Sequence, residues 1–339
     1  MELFYKTYDI PFEHPFTISN GRTKTHQSTL LVALRLGNWM GFGEATAIAY
    51  YDVTIDKMLA DLERFGKMIA KFAFTEPERY WHYLHHLLPN NPFLVAALDI
   101  AGWDLFGQMK GKKLHELWQT AWENLPLTDY TIGIDSAENM LAKMQAKPWP
   151  IYKVKLGTPN DLDIIKVLRQ NTNAKIRVDA NAGWTLEEAI QLIPELEKLQ
   201  VELIEQPLAK DNWEGMQQLM KVSSIPLIAD ESCVFEQDVA KCVSHFHGIN
   251  IKLTKCSGIT PALRMITEAR KAGMKVMMGS MNENVVGSAA IAHFLPQLDF
   301  VDMDGPLLQT NHLADGLVFE NGTVKILGNK GLGLTKIHW

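Results

Sequence analysis

The sequence predicts an α/β fold: a modified (β/α)8 barrel of the TIM type carrying an N-terminal α+β domain. Three observations predict it. From Leu127 onward, eight strand-like runs alternate with amphipathic helical segments, the pattern of a parallel sheet. Polar residues ending five of these runs stand at 155, 179, 205, 230 and 252, at intervals of 24, 26, 25 and 22 residues. The first third of the chain has a different rhythm, strand-like and then helical.

Taken in order, LFYKTYDIPF, STLLVALRLGN and WMGFGEATA read as strands, and Gly37-Asn38 as a turn between the last two. Alternation with such a turn predicts an antiparallel meander. Asp56 to Phe72 and Pro92 to Gly107 have helical spacing. The α+β domain is expected over 1–120. The barrel strands are TDYTIGI, IYKVKLG, KIRVDAN, VELIEQP, IPLIADES, GINIKLTK, MKVMMGS and DFVDMDG. Eight βα units close a barrel in about 200 to 250 residues, and the barrel is expected over 121–318. A doubly wound sheet is disfavoured, because no GxGxxG loop follows the first strand. The remainder, 319–339, reads as a hairpin and tail packing back on the first domain.

Composition excludes several classes. Of 339 residues, 47% are hydrophobic and 21% charged, which suits a globular protein and excludes disorder or a coiled coil. The net charge of -6 and the absence of a basic run argue against nucleic-acid binding. No apolar stretch reaches 18 residues, so no membrane span is expected. The first residues, MELFYKTYDIPFEHPF, lack the basic start and apolar core of a secretory signal. Cys233, Cys242 and Cys256 are odd in number and lack CxxC spacing. They read as reduced, packed thiols of a cytoplasmic protein.

The interval series carries the chemistry. Each interval is one strand-helix unit, so each strand-end residue stands at the same height, at the C-terminal mouth where barrel enzymes keep their sites. Asp179, Glu205 and Asp230 would converge there, with Asn181 and Glu231 close by. Three uncompensated carboxylates repel, and a divalent cation resolves the conflict. All-oxygen ligation favours Mg²⁺ or Mn²⁺, one ion per subunit. Lys155 on the second barrel strand and Lys252 on the sixth would face each other across the ring. Beside a metal, a second lysine and apolar walls, an ammonium is disfavoured and the amine can act as a base. One lysine would take the proton alpha to a substrate carboxylate, the metal would stabilise the enediolate, and the other lysine would reprotonate from the opposite face.

KVKLG, VDANAGW, IEQP, IADES and NIKLTKCSGI, in this order and spacing, resemble the muconate lactonizing branch of the enolase superfamily. NPFLVAALDIAGWDLFGQMKGKKLHEL resembles the helix joining that family's capping domain to its barrel. The resemblance spans nearly the whole chain. It implies metal ligation by Asp179, Glu205 and Asp230 and acid/base roles for Lys155 and Lys252. Lys153 and Lys255 would tune those bases and touch the substrate carboxylate, and Glu231 would support the metal ligands. Asp302 and Asp304, in DMDGP, match the Asp-x-Asp with which the family's dipeptide epimerases hold a substrate ammonium. Strand residues two apart face the same way, so two carboxylates can grip one cation. Thr131, Met278 and Ser280 would line the rest of the pocket. A loop over residues 14–26 would act as a lid, with Phe16 and Ile18 facing an apolar side chain or Arg22 or Lys24 pairing a glutamate.

The resemblance thus implies epimerization of the C-terminal residue of Ala-X dipeptides, in peptidoglycan peptide recycling, by a barrel that is often multimeric. N-succinylamino acid racemases, o-succinylbenzoate synthases and cycloisomerases of the same superfamily are the alternatives. A scaffold protein would not need charges that repel, and a hydrolytic zinc site would want histidine ligands, which no strand end offers. His82, His85 and His86 read as surface or packing residues, and Asp99, Trp103 and Asp104 as holding the domain junction.

Overall fold

A computed structural model describes residues 1–17 and 23–339. It opens with a three-stranded antiparallel sheet of β1 (Glu2–Thr17), β2 (Thr23–Leu36) and β3 (Trp39–Thr46). Alternation along β2 divides its side chains between two cores. Leu30, Val32 and Leu34 pack with α1 (Ile55–Lys71), α2 (Pro77–Leu87) and α3 (Pro92–Lys110), whereas Leu31 joins the barrel core. Thr54 caps α1 by accepting from the Lys57 amide, and Asn91 caps α3 by accepting from that of Leu94. Helix α3 lies directly on β3. A Cβ on Gly43 would stand 1.9 Å from the Ala97 carbonyl oxygen, so only glycine permits that approach.

After the short α4 (Leu114–Leu117), the chain forms eight parallel strands. These are β4 (Tyr130–Ile132), β5 (Ile151–Lys155), β6 (Lys175–Asp179), β7 (Val201–Glu205), β8 (Leu227–Ala229), β9 (Gly248–Ile251), β10 (Lys275–Gly279) and β11 (Phe300–Asp302). They lie side by side in chain order, and a parallel bridge between Thr128 and Val301 joins the two ends of the sheet. The expected (β/α)8 architecture and the N-terminal α+β domain are both present.

Helices α5 (Ala137–Ala146), α6 (Asp161–Gln170), α7 (Leu186–Lys198), α8 (Trp213–Val222), α9 (Val239–Cys242), α10 (Ile259–Lys271), α11 (Val285–Ala292) and α12 (Gly305–Leu308) alternate with these strands. Outward strand residues such as Val154, Val178, Ile204 and Ile251 meet helix residues in one large core. Leu203, Ile228 and Met277 form a small separate cluster with Phe300. Leu203 shares a strand face with Glu205, so this cluster is the barrel's interior. No described helix is long and apolar enough to cross a membrane.

One expectation changes. Within the expected lid loop of 14–26, the described residues 14–17 and 23–26 are strand. β1 and β2 run on to Thr17 and Thr23 and pair there, Phe16 with Lys24 and Thr17 with Thr23, beyond an irregularity between Pro11 and Phe16. Ile18 and Arg22 lie outside the described residues. At the other end, β12 (Ala314–Asp315) pairs with β15 (Lys336–Ile337), and β13 (Leu317–Glu320) with β14 (Thr323–Ile326). The Leu332 amide donates to Asp104 of α3 at 2.8 Å.

Candidate active site

A cavity of about 190 Å³ opens at the C-terminal ends of the barrel strands. Lys153, Lys155, Asp230, Lys252, Asp302 and Asp304 all reach it. Alternation explains the selection. Lys153 and Lys155 share one face of β5, and Asp179, Glu205 and Asp302 end their own strands. Asp230 and Lys252 each follow their strand by one residue.

The ring is an ion-pair network. Lys155 Nζ is 2.6 Å from Asp179 Oδ2. Lys153 Nζ meets Glu205 Oε2 and Asp302 Oδ2 at 2.7 Å each, and Asp179 Oδ2 at 3.1 Å. Lys252 Nζ lies 2.7 Å from Asp230 Oδ2 and 3.9 Å from Glu205 Oε1. Asn250 Nδ2 donates to Glu205 Oε1 at 2.8 Å. Gln206 fixes the loop carrying Asp230. Its Oε1 accepts from the Asp230 and Ser232 amides at 3.0 and 3.1 Å, while its Nε2 donates to Leu208 O and Ser232 Oγ. Gln206 holds this place with φ 39°, a backbone state that a side chain makes costly.

Charge sets the proton affinities. Burial raises Asp179 and Asp230, but the lysines outweigh it: Asp179 falls to about 2 and Asp230 well below its ordinary value. Glu205 is raised, by burial and then by the Asp179 charge. Burial lowers Lys252, but Asp230 and Glu205 more than compensate and hold it above its ordinary value. The expectation of a disfavoured ammonium is for a lysine beside a bound metal; the nearest charges the chain itself supplies are carboxylates. Burial and then the Asp302 charge raise Asp304 to about 7. Burial and then the Asp230 charge likewise raise the Tyr51 phenol above its ordinary value.

Asp179, Glu205 and Asp230 offer the all-oxygen donor set that a hard divalent ion takes. Glu205 Oε2 meets the Lys153 ammonium but accepts no well-formed hydrogen bond, and the buried Glu231 Oε2 and Asn181 Oδ1 beside it also lack a donor. This chemistry fits a cation. As arranged, the carboxylates are turned toward lysines, and among the described residues no three acidic, histidine or cysteine groups form a ready ligand set.

Other expected residues fall in different places. Thr131, Asn181, Glu231, Ser280 and Lys24 line the cavity. The Thr131 amide donates to Asp304 Oδ2 at 2.6 Å. Met278 does not line it. It stands on the outward face of β10 in the strand-helix core, and Met277 is the inward one. Lys255 does not line it either. Its buried ammonium is held by Asp230 and by the carbonyls of Asp230, Cys233 and Asn250. Sequence reasoning missed Ile48, Tyr50 and Tyr51, which wall the cavity from the N-terminal domain just after β3. An aromatic pair directly after a strand was the only signal. Gln206 lies within the IEQP motif, but nothing in the motif showed that its side chain would hold the Asp230 loop.

Comparison with known proteins agrees with this geometry. The family described as Enolase C-terminal domain-like matches residues 135–336. The L-Ala-D/L-amino acid epimerase of Flavobacterium johnsoniae is 49% identical over 335 residues, covering 99% of each chain. The substrate-liganded L-Ala-D/L-Glu epimerase of Bacillus subtilis superposes with a TM-score of 0.94 at 26% identity, covering 100% of this chain and 99% of that one. The dipeptide epimerase of Cytophaga hutchinsonii, complexed with Mg and D-Ala-L-Val, superposes with a TM-score of 0.91 at 26% identity, covering 100% and 97%. The chain belongs to the enolase superfamily and, within it, to the dipeptide epimerases, which are isomerases.

Proposed function

We propose that this enzyme inverts the alpha carbon of the C-terminal residue of Ala-X dipeptides by moving a proton between two lysines. One observation carries the reading. Lys155 of β5 and Lys252 beyond β9 stand on opposite strands of the ring and open on one cavity. A planar carbanion between them can be approached from both faces. The neutral amine of one lysine takes the alpha proton, and the ammonium of the other returns a proton to the opposite face. The intermediate carries its charge as an enediolate on the substrate carboxylate.

Asp179, Glu205 and Asp230 would hold the Mg²⁺ cofactor. Bound there, it supplies positive charge beside the substrate carboxylate, which acidifies the neighbouring C–H. Asp302 and Asp304 receive the dipeptide's ammonium, with Asp304 oriented by the Thr131 amide. Lys153 balances the carboxylates on either side of it, and Asn250 and Gln206 hold Glu205 and Asp230 in place. Ile48, Tyr50 and Tyr51 face the substrate from the N-terminal domain. Three free, buried cysteines support a cytoplasmic setting, where dipeptides released from peptidoglycan would be the substrates, and the subunits would assemble as a homo-oligomer.

The test is incubation of an Ala-X library in D₂O with Mg²⁺, read by mass spectrometry. Epimerization adds one deuterium at the inverted carbon. Lys155→Ala and Lys252→Ala should each lower inversion by about 10² to 10⁴-fold. Full inversion by either variant would refute the two-lysine mechanism. No uptake by any dipeptide, with metal bound, would redirect the assignment to N-succinylated substrates.

A further inference from the structure

We propose that Asp99, in helix α3 of the N-terminal domain, is a positioning residue for Lys252. This rests on the reading that Lys252 is one of two bases.

Helix α10 begins seven residues beyond Lys252 and has no cap of its own, for its N-cap is Gly258 with φ 128° and no side chain. One of its first amides is instead satisfied from another domain. Asp99 Oδ2 accepts from the Thr260 amide at 2.9 Å, and Oδ1 accepts from Thr260 Oγ1 at 2.8 Å. Asp99 is wholly buried and 161 residues from its partner. The fit is close. A Cβ on Gly258 would stand 2.3 Å from Asp99 Oδ2, so the carboxylate occupies the space of a side chain.

Two tryptophans reinforce the dock. Trp103 Nε1 donates to Thr260 Oγ1 and Trp81 Nε1 to the Ser257 carbonyl, each at 2.9 Å. The segment from Lys252 to Gly258 is itself tightly turned. The Cys256 amide donates to Lys252 O at 3.1 Å and the Gly258 amide to Leu253 O at 2.8 Å. A shift of Gly258 therefore passes directly to Lys252. From the barrel side, Lys255 pins the same turn to Asp230, Cys233 and Asn250. Lys252 thus sits between an anchor inside the barrel and an anchor from the N-terminal domain. Lys155 is held differently, on β5 and against Asp179. Loosening Asp99 should misplace one base and spare the other.

That asymmetry is measurable. Pure samples of each epimer of an Ala-X dipeptide are incubated with Mg²⁺ in D₂O, and initial alpha-proton exchange is followed separately, alongside thermal melting. Asp99→Asn keeps one acceptor for the Thr260 amide but replaces the acceptor of the Thr260 hydroxyl with an amide donor. It should slow exchange of one epimer about tenfold and leave the other within about twofold, since small displacements of a catalytic group are costly. Thr260→Val removes the hydroxyl's bonds to Asp99 and from Trp103, leaves the Thr260 amide on Asp99, and should show the same bias. It decides the matter if Asp99→Asn lacks a cooperative melt. Equal slowing of both epimers, or no change in either, overturns the positioning role. Failure of the unmodified enzyme to exchange either epimer would instead overturn the two-base reading on which the proposal rests.

Discussion

Lys153 and Asp302 stand 149 residues apart in sequence and meet at 2.7 Å, Nζ to Oδ2, across the barrel mouth. This contact ties the carboxylates assigned to the metal to the pair assigned to the substrate's ammonium, because the same Nζ faces Glu205 and Asp179. Both partners are buried. Replacing Lys153 with methionine would leave three carboxylates short of positive charge in a dry site. Removing one partner of a buried pair typically costs about 3 to 5 kcal/mol. We expect Lys153→Met to lower stability to urea by that order without Mg²⁺, and Mg²⁺ to stabilise the variant more than the parent. Equal stability would show that the contact contributes little.

Asp304 accepts from the Thr131 amide and lines the cavity. If it holds the dipeptide's ammonium, Asp304→Asn removes a charge-assisted hydrogen bond, worth about 1.5 to 3 kcal/mol. KM for Ala-X dipeptides should rise about tenfold to a hundredfold, with a smaller change in kcat. Steady-state kinetics decides, and unchanged selectivity between free and N-acetylated dipeptides would refute the clamp.

Gln206 satisfies four polar groups around Asp230 with one buried side chain. Groups that orient metal ligands typically alter affinity by about 10 to 100-fold. Gln206→Leu should therefore weaken Mg²⁺ binding by about that factor in isothermal titration, whatever its effect on turnover. Unaltered affinity would mean that the loop holds itself.

Glu44 provides a pH prediction away from the site. It accepts from Thr29 Oγ1 and the Asn284 and Gly287 amides, joining β3 to the start of α11. Burial outweighs these bonds and raises its pKa from 4.5 to about 7. The folded state therefore holds a proton that the unfolded chain has lost. The resulting stability, about 3 kcal/mol at most, is complete below about pH 4.5 and lost as pH rises through about 7. Asp99 and Asp104, raised by burial to about 7 and about 6, act in the same sense. His293, lowered by burial to about 3, acts oppositely, and its share is lost as pH falls from 6.5 toward 3. Glu44→Gln should flatten the fall in stability between about pH 4.5 and 7 in urea titrations. An unchanged slope would show that Glu44 does not take up the proton on folding.

The sequence by itself determined the barrel and most of the ring at its mouth. Strand alternation is local, and a near-constant repeat brings 155, 179, 205, 230 and 252 to one height regardless of what surrounds them. It did not resolve the methionines of β10, because MKVMMG is apolar on both faces and either register buries a methionine. It did not resolve the pairing of Phe16 with Lys24 and of Thr17 with Thr23, where the strands continue past Pro11. Tertiary structure alone decided the direction of the Lys252 shift, the aromatic wall of Tyr50 and Tyr51, and the docking of Asp99 on α10. Each depends on groups distant in the chain meeting in a buried space, where burial and nearby charge fix energies that no local pattern carries.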